Sequence, residues 1–229
     1  MNRIRYIGFS IHTPSLNMSI DQSLFDGAPE HGPAGVLRFF SFSTVCISIG
    51  KNQKVDDLPG DLRGTGIEIV RRPTGGGAVL HDGDLCYSIV MPETCLGTTG
   101  SLMESYRLIT GGLKRGFGLL GIDLEYGEGS RYRGGPMCFA GALGYELSLG
   151  GRKIVGGAQR RAKGMLLQQG SIMPYHHVPH ERLIAALLEG LGASLDVDYT
   201  PLPLTEGELE QAGRRTMEFS VSLRHGYSR

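Results

Sequence analysis

The sequence predicts an α+β fold, a mixed sheet with flanking helices, on three observations. Short β-branched and apolar runs at 67–70 and 85–90 read as strands. Two longer runs, 102–120 and 180–191, place apolar side chains at helical spacing. Strands and helices alternate without the regular strand–helix–strand rhythm of a doubly wound sheet.

Residues 4–10 form an opening strand, and residues 17–25 a short helix with Leu16, Ile20 and Leu24 on one face. Residues 28–35 are turn-rich. Residues 36–42 and 45–49 read as two strands joined by a brief turn. Asp56-Asp57-Leu58-Pro59-Gly60 breaks the pattern, and a weak helical turn carries the chain to Gly66. The strands around 71–84 follow, then a loop over 91–100. Ser101 with Glu104 three residues on has capping-box spacing. The helix beyond aligns Leu102, Tyr106, Ile109, Leu113, Phe117 and Leu120, and Gly111-Gly112 within it implies close packing. Residues 127–136 form a loop containing Arg131 and Arg133. Residues 143–149 alternate like a strand, Gly150-Gly151 makes a hairpin turn, and Lys153-Ile154-Val155 begins the return strand. Residues 165–173 supply another strand. The helix over 180–191 turns Leu183, Leu187 and Leu188 inward, and Thr205-Glu206-Gly207-Glu208 caps a last helix running to about 223.

A chain of 229 residues can bury a substantial core. Lysine plus arginine, 23, equals aspartate plus glutamate, 23, so the net charge does not suggest nucleic acid or an anionic membrane as partner. No stretch approaches the roughly 20 apolar residues of a membrane span, and the amino terminus lacks the apolar core of a secretory signal. Cys46, Cys86, Cys95 and Cys138 show no C-x-x-C pairing, which argues against a zinc knuckle or a disulfide framework and for reduced thiols in the cytoplasm. The 36 glycines are about twice the usual share of roughly 7%.

The chain is organised around Arg71-Arg72-Pro73-Thr74-Gly75-Gly76-Gly77-Ala78-Val79-Leu80-His81-Asp82-Gly83-Asp84. A glycine triplet beside strands is costly in backbone entropy and needs a reason. Residues without Cβ let a ligand lie against main-chain N–H groups, and the arginines add charge suited to phosphate or carboxylate. A hairpin turn with solvated arginines is the plain alternative. The stretch is neither G-x-G-x-x-G opening a helix nor G-x-x-x-x-G-K-[ST], so ordinary dinucleotide and P-loop readings fail.

The run from Arg71 to Ser88 resembles the signature of the lipoate-protein ligase A family, grouped with the biotin and lipoate A/B ligases and transferases. The likeness extends to Leu16-Asn17-Met18-Ser19-Ile20-Asp21, to Ile47-Ser48-Ile49-Gly50-Lys51-Asn52-Gln53, and to Gly151-Arg152-Lys153-Ile154-Val155-Gly156-Gly157-Ala158-Gln159-Arg160, which is similar to the family's lysine motif. The resemblance covers roughly 16–172. It implies a mainly antiparallel sheet with flanking helices, as in the biotin/lipoate ligase-like catalytic domain. It also implies one catalytic domain over 1–229 without a separate carboxy-terminal accessory domain.

Cys138 lies in Gly134-Gly135-Pro136-Met137-Cys138-Phe139-Ala140, 15 residues before Lys153. A free cysteine is more often a small core residue than a nucleophile, and Cys46 and Cys86, inside apolar strands, suit that role. Cys138-Phe139, then Tyr145-Glu146-Leu147, then the lysine motif, resembles the cysteine-type octanoyltransferases on this fold. The resemblance implies an acyl thioester on Cys138. Lys153 then favours the thiolate and balances the oxyanion, where the plain reading is a solvated hairpin lysine. Gly75, Gly76 and Gly77 are candidates to lie against the acyl chain or a phosphate. Arg72 is a candidate for the ligand's polar end, and Arg71 for solvent. His81 is a candidate to hold the carbonyl end or to shuttle a proton, with a structural histidine pinned by Asp82 as the plain alternative. Gly156, Gly157 and Ala158 complete the candidate binding set, with Gln159 and Arg160 at its mouth. His176, His177 and His180 lack H-E-x-x-H order, so no metal is expected.

The expected reaction moves octanoyl from acyl-carrier protein, through a cysteine thioester, to a lysine of an apo lipoyl-domain protein such as glycine cleavage H protein or a dehydrogenase E2 subunit. It requires no cofactor. The alternative is an ATP- and Mg-dependent lipoate ligase working through lipoyl-AMP. A biotin ligase fits less well, since G-R-G-R-x-x-R is absent. A non-catalytic lipoyl- or carrier-docking protein is the remaining class.

Overall fold

The computed structural model describes residues 2–28, 35–63, 65–96, 101–129, 136–140, 143–174 and 178–221. Eleven strands and five α-helices are present among them. The chain opens with β1 (Asn2–His12), α1 (Pro14–Asp26) and β2 (Val36–Phe42), and β1 pairs in parallel with β2. It then leaves the main sheet for β3 (Cys46–Ile49), the short α2 (Gly60–Arg63), β4 (Glu68–Arg71) and β5 (Val79–His81), a separate three-stranded sheet of order β4-β3-β5. The brief turn after β2 is therefore a change of sheet rather than a hairpin.

The chain returns through β6 (Leu85–Pro92), α3 (Leu102–Leu119) and β7 (Glu125–Tyr126). After these come β8 (Leu147–Leu149), β9 (Arg152–Ala162), β10 (Met165–Ile172), α4 (His180–Leu195), β11 (Val197–Pro201) and α5 (Glu206–Gly213). The main sheet runs β11-β1-β2-β6-β10-β9-β8-β7. It is parallel only at the β11, β1 and β2 end and antiparallel throughout the rest, the mainly antiparallel α+β architecture expected. No helix among the described residues is long and apolar enough to cross a membrane.

Helices α3 and α4 cover one face of the main sheet. Ile109, Leu113, Phe117, Leu183, Leu187 and Leu191 meet Leu37, Phe39, Tyr87 and Leu166 in the largest core cluster. Their backbones nearly touch, which is the close packing that Gly111-Gly112 foreshadowed. A Cβ at Gly112 would sit 2.9 Å from Leu191 Cα, and one at Gly190 only 2.2 Å from Gly112 O. The other face carries α1 and the small sheet. There Arg38 and Asp21, both fully buried, form a 2.7 Å ion pair. Asp21 also accepts from Ser88 and Gln169, and Gln169 Oε1 accepts from Thr74 Oγ1 at the edge of the glycine triplet.

Both expected caps form: Ser101 Oγ and Thr205 Oγ1 accept from the N–H groups of Glu104 and Glu208. The last helix is shorter than its sequence pattern suggests. It stops at Gly213 and a 3₁₀ turn follows at Thr216–Glu218. Phe219 O accepts from Arg71 N, Val221 N donates to Ile69 O, and Ser220 bridges Val70, so pairing with β4 replaces helix at 219–221. The alternation over 143–149 yields a strand only at Leu147–Leu149, because Glu146 N–H turns back to Leu143 O.

Candidate functional site

The small sheet lies over a row of residues in register across four strands of the main sheet: Phe40, Cys86, Ser171 and Gly156. Neighbouring strands stand about 4.8 Å apart, so this floor is roughly 14 Å long. Ser48, Val79 and His81 roof the cavity, with Met18 and Phe42 at one end and Cys138 and Phe139 at the other. Gly156 must be glycine here, since a Cβ would lie 2.8 Å from Lys153 Cε and 3.2 Å from Phe139 Cζ. Gly157 and Ala158 line the same cavity.

The two motifs meet through main-chain bonds. Ala78 N–H donates to Pro136 O and Cys138 N–H to Ala78 O, both at 2.8 Å, which seats Cys138 beside the end of the glycine run. Cys138 begins a 3₁₀ turn and is partly exposed. The β8–β9 hairpin delivers Lys153, whose ammonium lies 2.8 Å from Cys138 O and 3.5 Å from Cys138 Sγ. Its Nζ is also 4.8 Å from the Phe139 ring centroid. The solvated-lysine alternative fails, because Lys153 is buried.

Sequence reasoning passed over the partner of Lys153. Glu146 Oε2 is 2.7 Å from Nζ, with both side chains buried. The available signal was the Gly150-Gly151 hairpin, which folds the residues before it against Lys153. Tyr145 beside it stacks on Tyr106 at 4.2 Å. Burial first, then the charges of Glu146 and Cys138, push the Tyr145 phenol up to about 12.

Arg72 faces inward. Its Nε and Nη2 donate to Gly75 O, Nη2 also to Gly77 O, and Nη1 to Ser48 O and Oγ, so all five N–H groups have partners in the loop and β3. It braces the glycine loop from below. Gly76 takes φ +87°, a left-handed conformation that favours glycine, and a Cβ there would meet Arg72 Nη2 at 3.0 Å. Gly75 has open space around its Cα, and Gly77 is buried. Arg71 is not a solvent arginine; its Nη1 donates to Gly50, Lys51 and Gln53 carbonyls.

His81 is pinned by Asp84 rather than by the exposed Asp82. Nδ1 is 2.8 Å from Asp84 Oδ2 and Nε2 is 2.8 Å from Ser48 Oγ. Burial alone would raise the Asp84 carboxyl, but the charge and hydrogen bond of His81, with bonds from Ser171 and Cys86, bring it below the ordinary value. His81, Asp84 and Cys86 bring donor atoms within 4.8 Å of one another. Both ring nitrogens and Asp84 Oδ2 are already hydrogen-bonded, and burial, then Asp84, pushes the Cys86 thiol far up, so the cluster is a poor cation site. Cys46 is likewise buried and pushed up, first by burial, while Cys95 is half-buried against the main core. Gln159 turns to the α3 face, bonded to Gln168 and Ser105, and Arg160 bonds Gln22 of α1, so neither lines the cavity. His176 and His177 lie outside the described residues, and His180 packs edge-on against Phe9.

Comparison with known proteins places this geometry among relatives. The family model for the lipoyl protein ligase A/B catalytic domain matches residues 13–176. A protein of Exiguobacterium sibiricum named octanoyltransferase LipM is 39% identical over 169 residues, 69% of this chain and 61% of its own length. The chain thus spans slightly under two thirds of that relative. The Brevibacillus brevis protein of the same name is 31% identical over 93% of this chain and 94% of its own. Among solved structures, lipoate-protein ligase A bound with ATP has the same fold, with TM-score 0.78 and 95% of each chain covered at 21% identity.

Proposed function

The chain belongs to the lipoyl protein ligase A/B catalytic-domain family, and from that premise we propose that it is an octanoyltransferase of lipoate assembly. It takes octanoyl from acyl-carrier protein, holds it as a thioester on Cys138, and passes it to a lysine of a lipoyl-domain protein. The observation that carries this reading is the approach of Lys153 Nζ to 3.5 Å from Cys138 Sγ at one end of the cavity.

The thiolate is the nucleophile, and its attack on the carrier thioester forms one C–S bond as another breaks, at little free-energy change. The Lys153 ammonium, itself buried, stands where the tetrahedral oxyanion develops, a fixed charge beside the thiol. The acceptor amine then attacks the Cys138 thioester, and amide formation is downhill, so neither ATP nor Mg is required. An extended eight-carbon chain, at roughly 1.2 Å per bond, needs about 9 Å. The floor from Gly156 to Phe40 accommodates that length, with the methyl end toward Met18, Phe40 and Phe42.

The test is incubation with octanoyl-acyl-carrier protein, without ATP, followed by intact mass. Wild type gains one octanoyl mass that hydroxylamine releases. Cys138→Ala gains none and no longer modifies a lipoyl domain, while Cys46→Ala and Cys86→Ala label normally. Modification of the lipoyl domain by Cys138→Ala at wild-type rate would overturn the covalent route. Dependence of modification on ATP, Mg and free lipoate would replace transfer with ligation.

A further inference from the structure

Glu146 is a buried carboxylate that the reaction as described leaves without a task. Its Oε2 accepts from Leu143 N–H at 2.9 Å and lies 2.7 Å from Lys153 Nζ. The side chains of the pair are 3% and 4% exposed. A sealed ion pair is weak evidence of stabilisation, because desolvation offsets its attraction. Lys153 Nζ is also 3.5 Å from Cys138 Sγ, so one ammonium links the thiol to the carboxylate.

We propose that Glu146 is the terminal acceptor of the Cys138 proton, acting through Lys153 as the relay, an inference that rests on the acyl-transfer reading above. As Sγ attacks the carrier thioester, Lys153 gives a proton to Glu146 and takes the thiol proton. The S–H bond breaks and an O–H bond forms on Glu146, while Lys153 remains an ammonium. Thiol, ammonium and carboxylate become thiolate, ammonium and carboxylic acid, with total charge unchanged. The new C–S bond forms, the carrier's C–S bond breaks, and the proton returns from Glu146 through Lys153 to the departing carrier sulfur. In the second half a C–N bond forms to the acceptor lysine, the Cys138 C–S bond breaks, and the amine proton reaches Sγ through the same pair. The relay lets the thiol ionise without adding net charge beside the buried Lys153–Glu146 pair.

The titratable groups facing Glu146, among the described residues, are Lys153 on β9 with Cys138 beyond it, the neighbouring Tyr145, Tyr106 on α3 and Tyr87 on β6. Burial raises all three phenols, which keeps them protonated at neutral pH. Among the described residues, proton movement is therefore left to the carboxylate, ammonium and thiol.

Single-turnover acylation of the full chain by octanoyl-acyl-carrier protein tests the relay. Glu146→Gln keeps an acceptor for Lys153 but cannot take a proton. Its acylation rate falls roughly 10²-fold near neutrality, the low end of general acid–base contributions, with half-saturation by carrier unchanged. Its rate also climbs about tenfold per pH unit, because the thiol now loses its proton to solvent, whereas wild type is flat across the neutral range. Circular dichroism establishes that the variant is folded. A second measurement uses wild type alone: rates in mixtures of light and heavy water curve, as two protons move together. A Glu146→Gln protein with the wild-type rate or pH profile, or a strictly linear isotope dependence in wild type, would overturn the relay and leave Glu146 to position Lys153 only. Absence of the octanoyl mass from wild-type Cys138 overturns the transfer reading itself, and the relay with it.

Discussion

Replacing Gly156 with alanine tests how tightly the site holds its lysine. The added methyl would lie 2.8 Å from Lys153 Cε, 3.2 Å from Nζ and 3.2 Å from Phe139 Cζ. Ordinary contact begins at 3.4 Å, so Cε must retreat by about 0.6 Å. Lys153 cannot simply swing aside, since Glu146 at 2.7 Å and Cys138 O at 2.8 Å fix its ammonium. An off-rotamer side chain costs about 0.5–1.5 kcal/mol, and overpacking a close-packed site about 1–3 kcal/mol. For a chain of this size each 1 kcal/mol lowers Tm by about 2–4 °C, so an overpacking cost of about 1–3 kcal/mol drops the melt by roughly 2–12 °C. A 1 Å misplacement can cost roughly 10²-fold, so a retreat of about 0.6 Å at Cε slows acylation by roughly tenfold. Calorimetry and the mass time course with octanoyl-acyl-carrier protein read both effects. Gly118→Ala on α3 is the control, because its Cβ meets no heavy atom within 4 Å. That change gains about 0.5–1 kcal/mol from helix entropy and leaves acylation untouched. A Gly156→Ala protein that melts and acylates like wild type would refute the argument, because Lys153 would then owe nothing to the bare backbone beside it.

Three further outcomes follow from other contacts. Gly76→Val forces a branched side chain into φ +87° and against Arg72 Nη2, so the protein keeps its circular dichroism and loses acylation; full activity would reduce the triplet to a turn. Asp21→Asn leaves the fully buried Arg38 without its counter-charge and lowers unfolding free energy by about 3–5 kcal/mol in urea titrations; a loss under about 1 kcal/mol would contradict the buried pair. Glu208 is brought from 4.5 to about 2 by its hydrogen bond from Arg5, against the upward push of burial, with a further bond from Thr205 N–H. A depressed folded value means that its stabilisation is complete above pH 4.5 and disappears as the pH falls toward 2. Urea midpoints of wild type therefore drop more steeply over that window than those of Glu208→Gln, and parallel curves would exclude the effect.

Local chemistry was legible because its causes lie a few residues apart. The caps at Ser101 and Thr205 form where a hydroxyl three residues before an acidic side chain places them. The glycine triplet beside strands called for a reason, and Gly76 supplies one by taking a left-handed conformation that favours glycine. Cys138 and Lys153 were singled out by the family resemblance rather than by local chemistry, which favoured a core cysteine and a solvated lysine. What the chain by itself left open was which partners each side chain would find. Arg72 turned to the loop carbonyls, Asp84 rather than Asp82 took His81, and Glu146 came to face Lys153. The helical pattern after Gly213 yielded to strand pairing at Ser220. Each of these outcomes depends on the register between strands distant in sequence and on how the small sheet seats on the large one. A buried polar group must find a partner wherever that packing brings one within hydrogen-bond reach, and only the tertiary structure decides where that is.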